Sequence, residues 1–231
     1  MKNLLIVQKK KFFKENDFIL TEKSKERLAL LIHYNLVGIP VLLEGNTGAS
    51  KTRTPLIAGN YIQKFIHNNE SKRKLILFNL SEETRIDDMT AKFVSDDNSI
   101  TCLNAKEGPF VKAYRKGYIL LLDEINFAPQ NALQCIQQSL DNELLSAETN
   151  GNSLLEVHKH KNFALIATQN PNKGAFSGKR QELSTEFVSR FITIYFPEID
   201  KNEMEEIGIG IAKNIGFIED ENKDSKKYNL I

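Results

Sequence analysis

Five short apolar runs limit what this 231-residue chain can fold into. They are "PVLLE" (40–44), "KLILFNL" (74–80), "YILLLDE" (118–124), "FALIATQN" (163–170) and "FITIYF" (191–196). Each reads as a near-continuous apolar strand rather than the alternation of a strand with one wet face. Between them lie stretches of helical period, such as Leu28, Leu31, Ile32 and Leu36 within 21–37, or Ile57, Tyr61 and Phe65 within 55–68. Strands apolar at every position need cover on both faces, and parallel neighbours need crossover helices. The pattern predicts an α/β fold with a parallel sheet between helical layers.

The remaining segments fill in that frame. "TRIDDMTAKFV" and "GPFVKAYRKG" read as short helices separated by a polar loop, and a further helix is expected from Pro129 to about Asn142. Pro55 falls in the first turn of its helix, where a missing N–H costs least. Residues 144–160 carry two β-leaning runs around Asn150-Gly151, a hairpin signal. The stretch "EIDKNEMEEIGIGIAKNIGF" leaves room for about one helix through Met204, Ile207 and Ile211. The charged tail from Glu219 reads as disordered.

Composition excludes more than it assigns. With 31 basic and 30 acidic side chains, the formal charge of +1 gives no general reason to expect nucleic acid or anionic membrane as a partner. The aromatic and basic start, with Phe12, Phe13 and Phe18, reads as a helix packing its rings on the domain. No apolar run approaches a membrane span, and the start is too short for a signal peptide. Cys102 and Cys135 stand far apart, without zinc or disulfide spacing, and read as buried thiols in a reducing compartment. An intracellular location, cytoplasm or nucleus, follows as the expectation.

The chemistry starts at "EGNTGASKTRTP" (44–55). A loop between a buried strand and a helix N-terminus gathers unpaired N–H groups and the positive end of the helix dipole, which suits phosphate. Gly45, Lys51 and Thr52 have the spacing of a phosphate-binding loop, G-x-x-x-x-G-K-[ST], but Ser50 occupies the second glycine position. Lys51 would meet the β- and γ-phosphates, and the Thr52 hydroxyl would ligate Mg²⁺.

Context strengthens this signal. The strand "YILLLDE" ends on Asp123 and Glu124, and ionised carboxylates at a core edge need a partner. A metal and a water provide one: Asp123 would hold Mg²⁺ through its water shell, and Glu124 would orient and activate the attacking water. Asn170, ending the next run, could hydrogen-bond that water or the γ-phosphate, although Asn-Pro by itself is an ordinary turn signal. Arg190 closes a short helix before the fifth run; an arginine there could reach a neighbouring subunit's phosphate, but by itself it reads as a surface or salt-bridged residue.

Taken in order, "LLEGNTGASKT", "NLSEETRIDDM", "EGPFVKAYRKGYILLLDEINFAPQNALQCIQQSLDNE", "FALIATQNP" and "LSTEFVSRF" resemble the AAA+ ATPases, and more closely the midasin and dynein-related branch that includes MoxR-type proteins. The resemblance implies a P-loop NTPase three-layer sandwich with a five-stranded parallel sheet, binding ATP and Mg²⁺ between subunits of a ring. It implies that Gly45, Asn46, Thr47, Gly48, Ala49, Ser50, Lys51 and Thr52 form the phosphate loop. Thr52 and Asp123 would serve the metal, Glu124 and Asn170 the catalysis, and Arg190 the neighbour's site. Self or related AAA+ subunits, and a protein or ribonucleoprotein substrate, are the implied partners. "SEET" (81–84) matches the branch without an assigned chemistry. His33, His67, His158 and His160 match no motif.

The expected organisation is an N-terminal helical extension (1–35), an ATPase core (36–200), one short helix as a lid remnant (201–218) and a disordered tail (219–231). Two departures from the family matter. If position 50 requires positive φ, serine costs about 1–2 kcal/mol there. Only about one helix follows the fifth run, so the chain reads either as a core lacking most of its helical lid or as one part of a larger gene product; lid loss bears on turnover more than on binding. Three functions therefore remain: a ring-forming Mg-ATPase that remodels a partner, an ATP-dependent assembly module with negligible turnover, and, ranked last, a nucleic-acid-binding protein using the N-terminal "KKKFFK".

Overall fold

The computed structural model describes residues 11–66, 73–96, 99–148, 154–171 and 182–217. They fall into two units, one within 28–198 and one within 1–27 and 199–231.

The larger unit is built on strands β1 (Val41–Gly45), β2 (Leu75–Asn79), β5 (Ile119–Asp123), β8 (Ala164–Gln169) and β9 (Ile192–Phe196). They form one parallel sheet in the order β2-β5-β8-β1-β9. The register sets Leu121 beside Ile166 and Leu42 beside Ala167. Side chains alternate between the two faces of a strand. Burial of Ile119, Leu120, Leu121 and Leu122 alike, each at 0% exposure, therefore means that both faces of β5 are covered.

One face meets α4 (Pro109–Lys116) and α5 (Gln130–Asn142). Their Phe110, Tyr114, Leu133 and Ile136 join Leu42, Leu120, Leu122, Leu165 and Ala167 in a single apolar cluster. The Tyr114 hydroxyl donates to the Ser139 carbonyl at 2.6 Å, which satisfies a phenol otherwise stranded in the core. Helices α1 (Glu22–Val37) and α2 (Arg53–Tyr61) bury Leu28, Leu31, Ile57 and Ala58 outside that cluster. The five-stranded α/β expectation is borne out. The run at 191–196 departs in one respect: β9 is an edge strand, and Ile192 and Tyr195 are exposed.

One expectation is corrected. "TRIDDMTAKFV" does not continue as a helix past α3 (Ile86–Met89). Residues Ala91–Asp96 form β3, antiparallel to β4 (Ser99–Glu107), where a polar loop was expected. The antiparallel ladder supplies this polar stretch with backbone hydrogen bonds that a loop would have to find in water. The second hairpin is present as β6 (Leu144–Glu148) and β7 (Leu154–His158), while its Asn150-Gly151 turn lies outside the described residues. The helical face expected to reach Asn68 is followed as far as Ile66, where α2 passes into a π-turn at Ile62–Ile66.

The smaller unit contains α7 (Lys201–Asn214). Asp200 caps it by accepting from the Glu203 N–H at 2.8 Å, and also pairs with Lys23. Glu203 is buried and accepts from Arg27 and from the Thr21 hydroxyl, both at 3.2 Å. Phe12, Phe13 and Phe18 are buried, with Phe13 in ring contact with both others. Met204, Ile209 and Ile211 on α7 are exposed. The tail from Glu219 lies outside the described residues.

Candidate nucleotide site

Sheet order assembles the site. β5, β8 and β1 are consecutive neighbours, so their carboxyl ends bring Asp123, Asn170 and the loop after Gly45 to one edge. The chain runs from β1 to β2 in one direction and from β8 to β9 in the other, which makes this edge a switch point, where open parallel sheets bind ligands. A cleft of about 280 Å³ opens there, lined by Thr47, Gly48, Ser50, Lys51, Thr52, Arg53, Asp123, Glu124, Thr168 and Asn170.

The loop's conformation explains its residues. Gly45 ends β1 against β9, and a Cβ on it would come within 2.1 Å of the Phe196 carbonyl oxygen, so glycine is required by contact. Gly48 has φ +86° with open space around it, so it is required by conformation. Ser50 has φ 60°, in the left-handed region that glycine would occupy without strain. The Ser50 carbonyl accepts from the Thr54 N–H and from the Thr54 hydroxyl, both at 3.0 Å, and ties this strained residue to the first turn of α2. The Lys51 ammonium donates to the Asn46 carbonyl at 2.6 Å, and Asn46 donates to Glu198 at 2.7 Å. Ala49 is buried, so it and Asn46 frame the loop while Thr47, Gly48, Ser50, Lys51 and Thr52 face the cleft.

Across the cleft, the Thr52 hydroxyl lies 3.0 and 3.2 Å from the two oxygens of Asp123. A hydroxyl and a carboxylate in contact form the hard oxygen pair that Mg²⁺ prefers, with phosphates and waters left to complete six ligands. No cluster of three or more His, Cys, Asp or Glu side chains competes with it among the described residues. The donor set fits magnesium.

Glu124, the next residue, has φ 57° and ψ 52°. Its carboxylate accepts from the Asn170 amide, while the Asn126 amide donates to the Asn170 carbonyl at 3.0 Å. Asn126 and Asn170 are buried, and the side-chain oxygen of each lacks a hydrogen-bond partner. Unsatisfied buried amide oxygens cost stability, and of these two only Asn170 lines the cleft, where its oxygen is an open acceptor.

Arg190 is elsewhere. It follows α6 (Thr185–Val188) and does not line the cleft. Its guanidinium grips Asp141 in a two-pronged contact, Nε to Oδ1 and Nη2 to Oδ2, each 2.7 Å, and also donates to the Glu186 carbonyl. Hydrogen bonding and charge from Arg190 hold the Asp141 carboxyl below its ordinary range, and Asp141 raises Arg190 in return. Sequence reasoning missed Thr168, Asn126 and Arg53 at this site. Thr168 was within reach, because it lies two residues before Asn170 on β8 and therefore shares its face.

No helix among the described residues is long and apolar enough to cross a membrane. The chain is 35% identical over 195 residues to midasin of Dictyostelium discoideum, covering 82% of this chain and 3% of that protein. It is 30% identical over 196 residues to midasin of Giardia intestinalis, covering 84% of this chain and 4% of that one. It thus spans only a small fraction of the relatives it matches. A crystal structure of a candidate ATPase from Cytophaga hutchinsonii shares the fold, with a TM-score of 0.58 at 18% identity over 90% of this chain and 56% of that one. The model of the dynein-related AAA domain matches residues 40–191, which hold every strand of the parallel sheet except β9 and include the loop at 45–52, Asp123, Glu124 and Asn170. The chain belongs to the dynein-related subfamily of AAA domains, a family of P-loop ATPases.

Proposed function

We propose that this domain binds ATP with Mg²⁺ and hydrolyses it, in a site completed by a neighbouring AAA subunit. The observation that carries the reading is the convergence of Lys51, Thr52, Asp123, Glu124 and Asn170 on one cleft from three separate strands. Lys51 and the loop N–H groups would hold the phosphates. Magnesium, when bound, would supply charge neutralisation for the phosphates. Thr52 and Asp123 would hold it, Glu124 would take up the proton of the attacking water, and the Asn170 amide would orient that water or the γ-phosphate. Supply of ATP and magnesium argues for work inside the cell.

Arg190 is the candidate for the neighbour's part. It lies outside its own cleft, and its guanidinium, held here by Asp141 and Glu186, would have to exchange the Asp141 carboxylate for a phosphate. A ring of such domains would couple turnover to movement of a protein or ribonucleoprotein partner. Steady-state phosphate release over a range of protein concentrations tests this, with Lys51→Ala as the blank. Turnover per subunit should rise with concentration and fall at least tenfold in Arg190→Ala, with ATP affinity unchanged. Turnover independent of both would remove the neighbour from the mechanism.

A second reading keeps binding and drops turnover. Ser50 at φ 60° and the engagement of Glu124 by Asn170 favour it, since both bear on the catalytic geometry. It predicts ATP-dependent oligomers without phosphate release.

A further inference from the structure

We infer that Thr168 is a positioning residue that sets both members of the carboxylate pair through its one hydroxyl, and that magnesium recognition depends on it. The inference rests on the proposed reading of this site. Thr168 sits on β8, one residue past Ala167, which is paired with Leu122, so it is level with Asp123 across the sheet. Its side chain is buried, and its oxygen accepts the backbone N–H of Glu124 at 3.0 Å. A hydroxyl has one proton and two acceptor sites, so that proton remains available, and it goes to Asp123 Oδ1 at 2.5 Å.

The two bonds do different work. The donation to Asp123 is charge-assisted and fixes Oδ1 of the carboxylate, the oxygen that Thr52 also contacts. Thr52 also donates to Asp123, but Thr52 is itself assigned to the metal, so Thr168 is the partner that stays with the carboxylate. The acceptance from Glu124 steadies a residue whose left-handed backbone, φ 57°, a non-glycine side chain disfavours. Strained backbone at a functional site persists only where its surroundings hold it. A single buried oxygen thus links the metal carboxylate to the backbone turn that aims Glu124.

Partners that orient a metal ligand typically change metal affinity or activity by about 10–100-fold when removed. The test compares ATP affinity by calorimetry in excess Mg²⁺ and in EDTA, for wild type, Thr168→Val and Thr168→Ser. The inference expects Mg²⁺ to tighten ATP binding in wild type and in Thr168→Ser, and that tightening to fall about tenfold or more in Thr168→Val. Affinity in EDTA should be equal in all three. Where Thr168→Val does not fold, Thr168→Ala against Thr168→Ser isolates the hydroxyl in the same way.

Equal tightening by Mg²⁺ in Thr168→Val overturns the inference and leaves the site reading intact. An equal loss with and without Mg²⁺ marks general damage to the site and also overturns it. A wild-type domain that binds no ATP, or binds it without response to Mg²⁺, overturns the site reading and this inference together.

Discussion

Ser50 offers the sharpest test of how this loop is built. Its φ of 60° places a residue with a Cβ where the family pattern has glycine. Holding a non-glycine residue there costs about 1–2 kcal/mol. Ser50→Gly removes that cost, while glycine's greater freedom in the unfolded chain takes back about 0.4–1 kcal/mol. The Ser50 carbonyl keeps both bonds from Thr54, because they do not use the side chain. The net expectation is a stabilisation of about 0.5–1 kcal/mol, or roughly 1–4 °C in Tm for a domain of this size. Ser50→Ala retains the Cβ and should stay within about 0.5 kcal/mol of wild type. Ser50→Val, β-branched at positive φ, should be the least stable of the series. Urea denaturation of the nucleotide-free protein gives the ranking, and ATP calorimetry on the same samples shows whether the Ser50 Cβ also crowds the phosphate. A Ser50→Gly domain no more stable than Ser50→Ala would refute the assignment of strain to this residue.

Three further outcomes follow from the geometry. Gly45→Ala drives a methyl to within 2.1 Å of the Phe196 carbonyl, so β1 and β9 must part; a loss of about 1–3 kcal/mol in urea denaturation is expected, and a neutral result would contradict the close approach. Tyr114→Phe leaves the buried Ser139 carbonyl short of its phenol partner and should cost about 1–2 kcal/mol, measured in the same way; no loss would mean that another group satisfies it. The Asp141 carboxyl, depressed by hydrogen bonding to Arg190, contributes stability that is present above the unfolded carboxylate value near ~4 and lost as pH falls through its lower folded value. The stability gap between wild type and Asp141→Asn should therefore shrink on acidification below about pH 4, and a gap constant with pH would detach it from that ion pair.

Much of this was legible from the chain because the strands of the sheet interior declare themselves. The runs at 119–122 and 164–167 are apolar at every position because both faces are covered, and no surface helix is written that way. The loop and the pair at 123–124 were legible because buried strands rarely end on such chemistry. The hairpin of β3 and β4 was not, since its sequence carries no clean alternation and its turn region reads as a polar loop. The contact of Arg190 with Asp141 spans 49 residues and leaves no trace in spacing. Thr168 was passed over because threonine in an apolar strand looks like β-propensity, and only its position level with Asp123 reveals the hydroxyl's second use.

The central claim is that Glu124 activates water on a nucleotide held by Lys51 and Thr52. The most direct measurement is phosphate release by Glu124→Gln alongside its affinity for ATP with Mg²⁺. Loss of a general base predicts turnover lower by about 10²–10⁴-fold with affinity retained. Unchanged turnover in Glu124→Gln would contradict the assigned mechanism at its core.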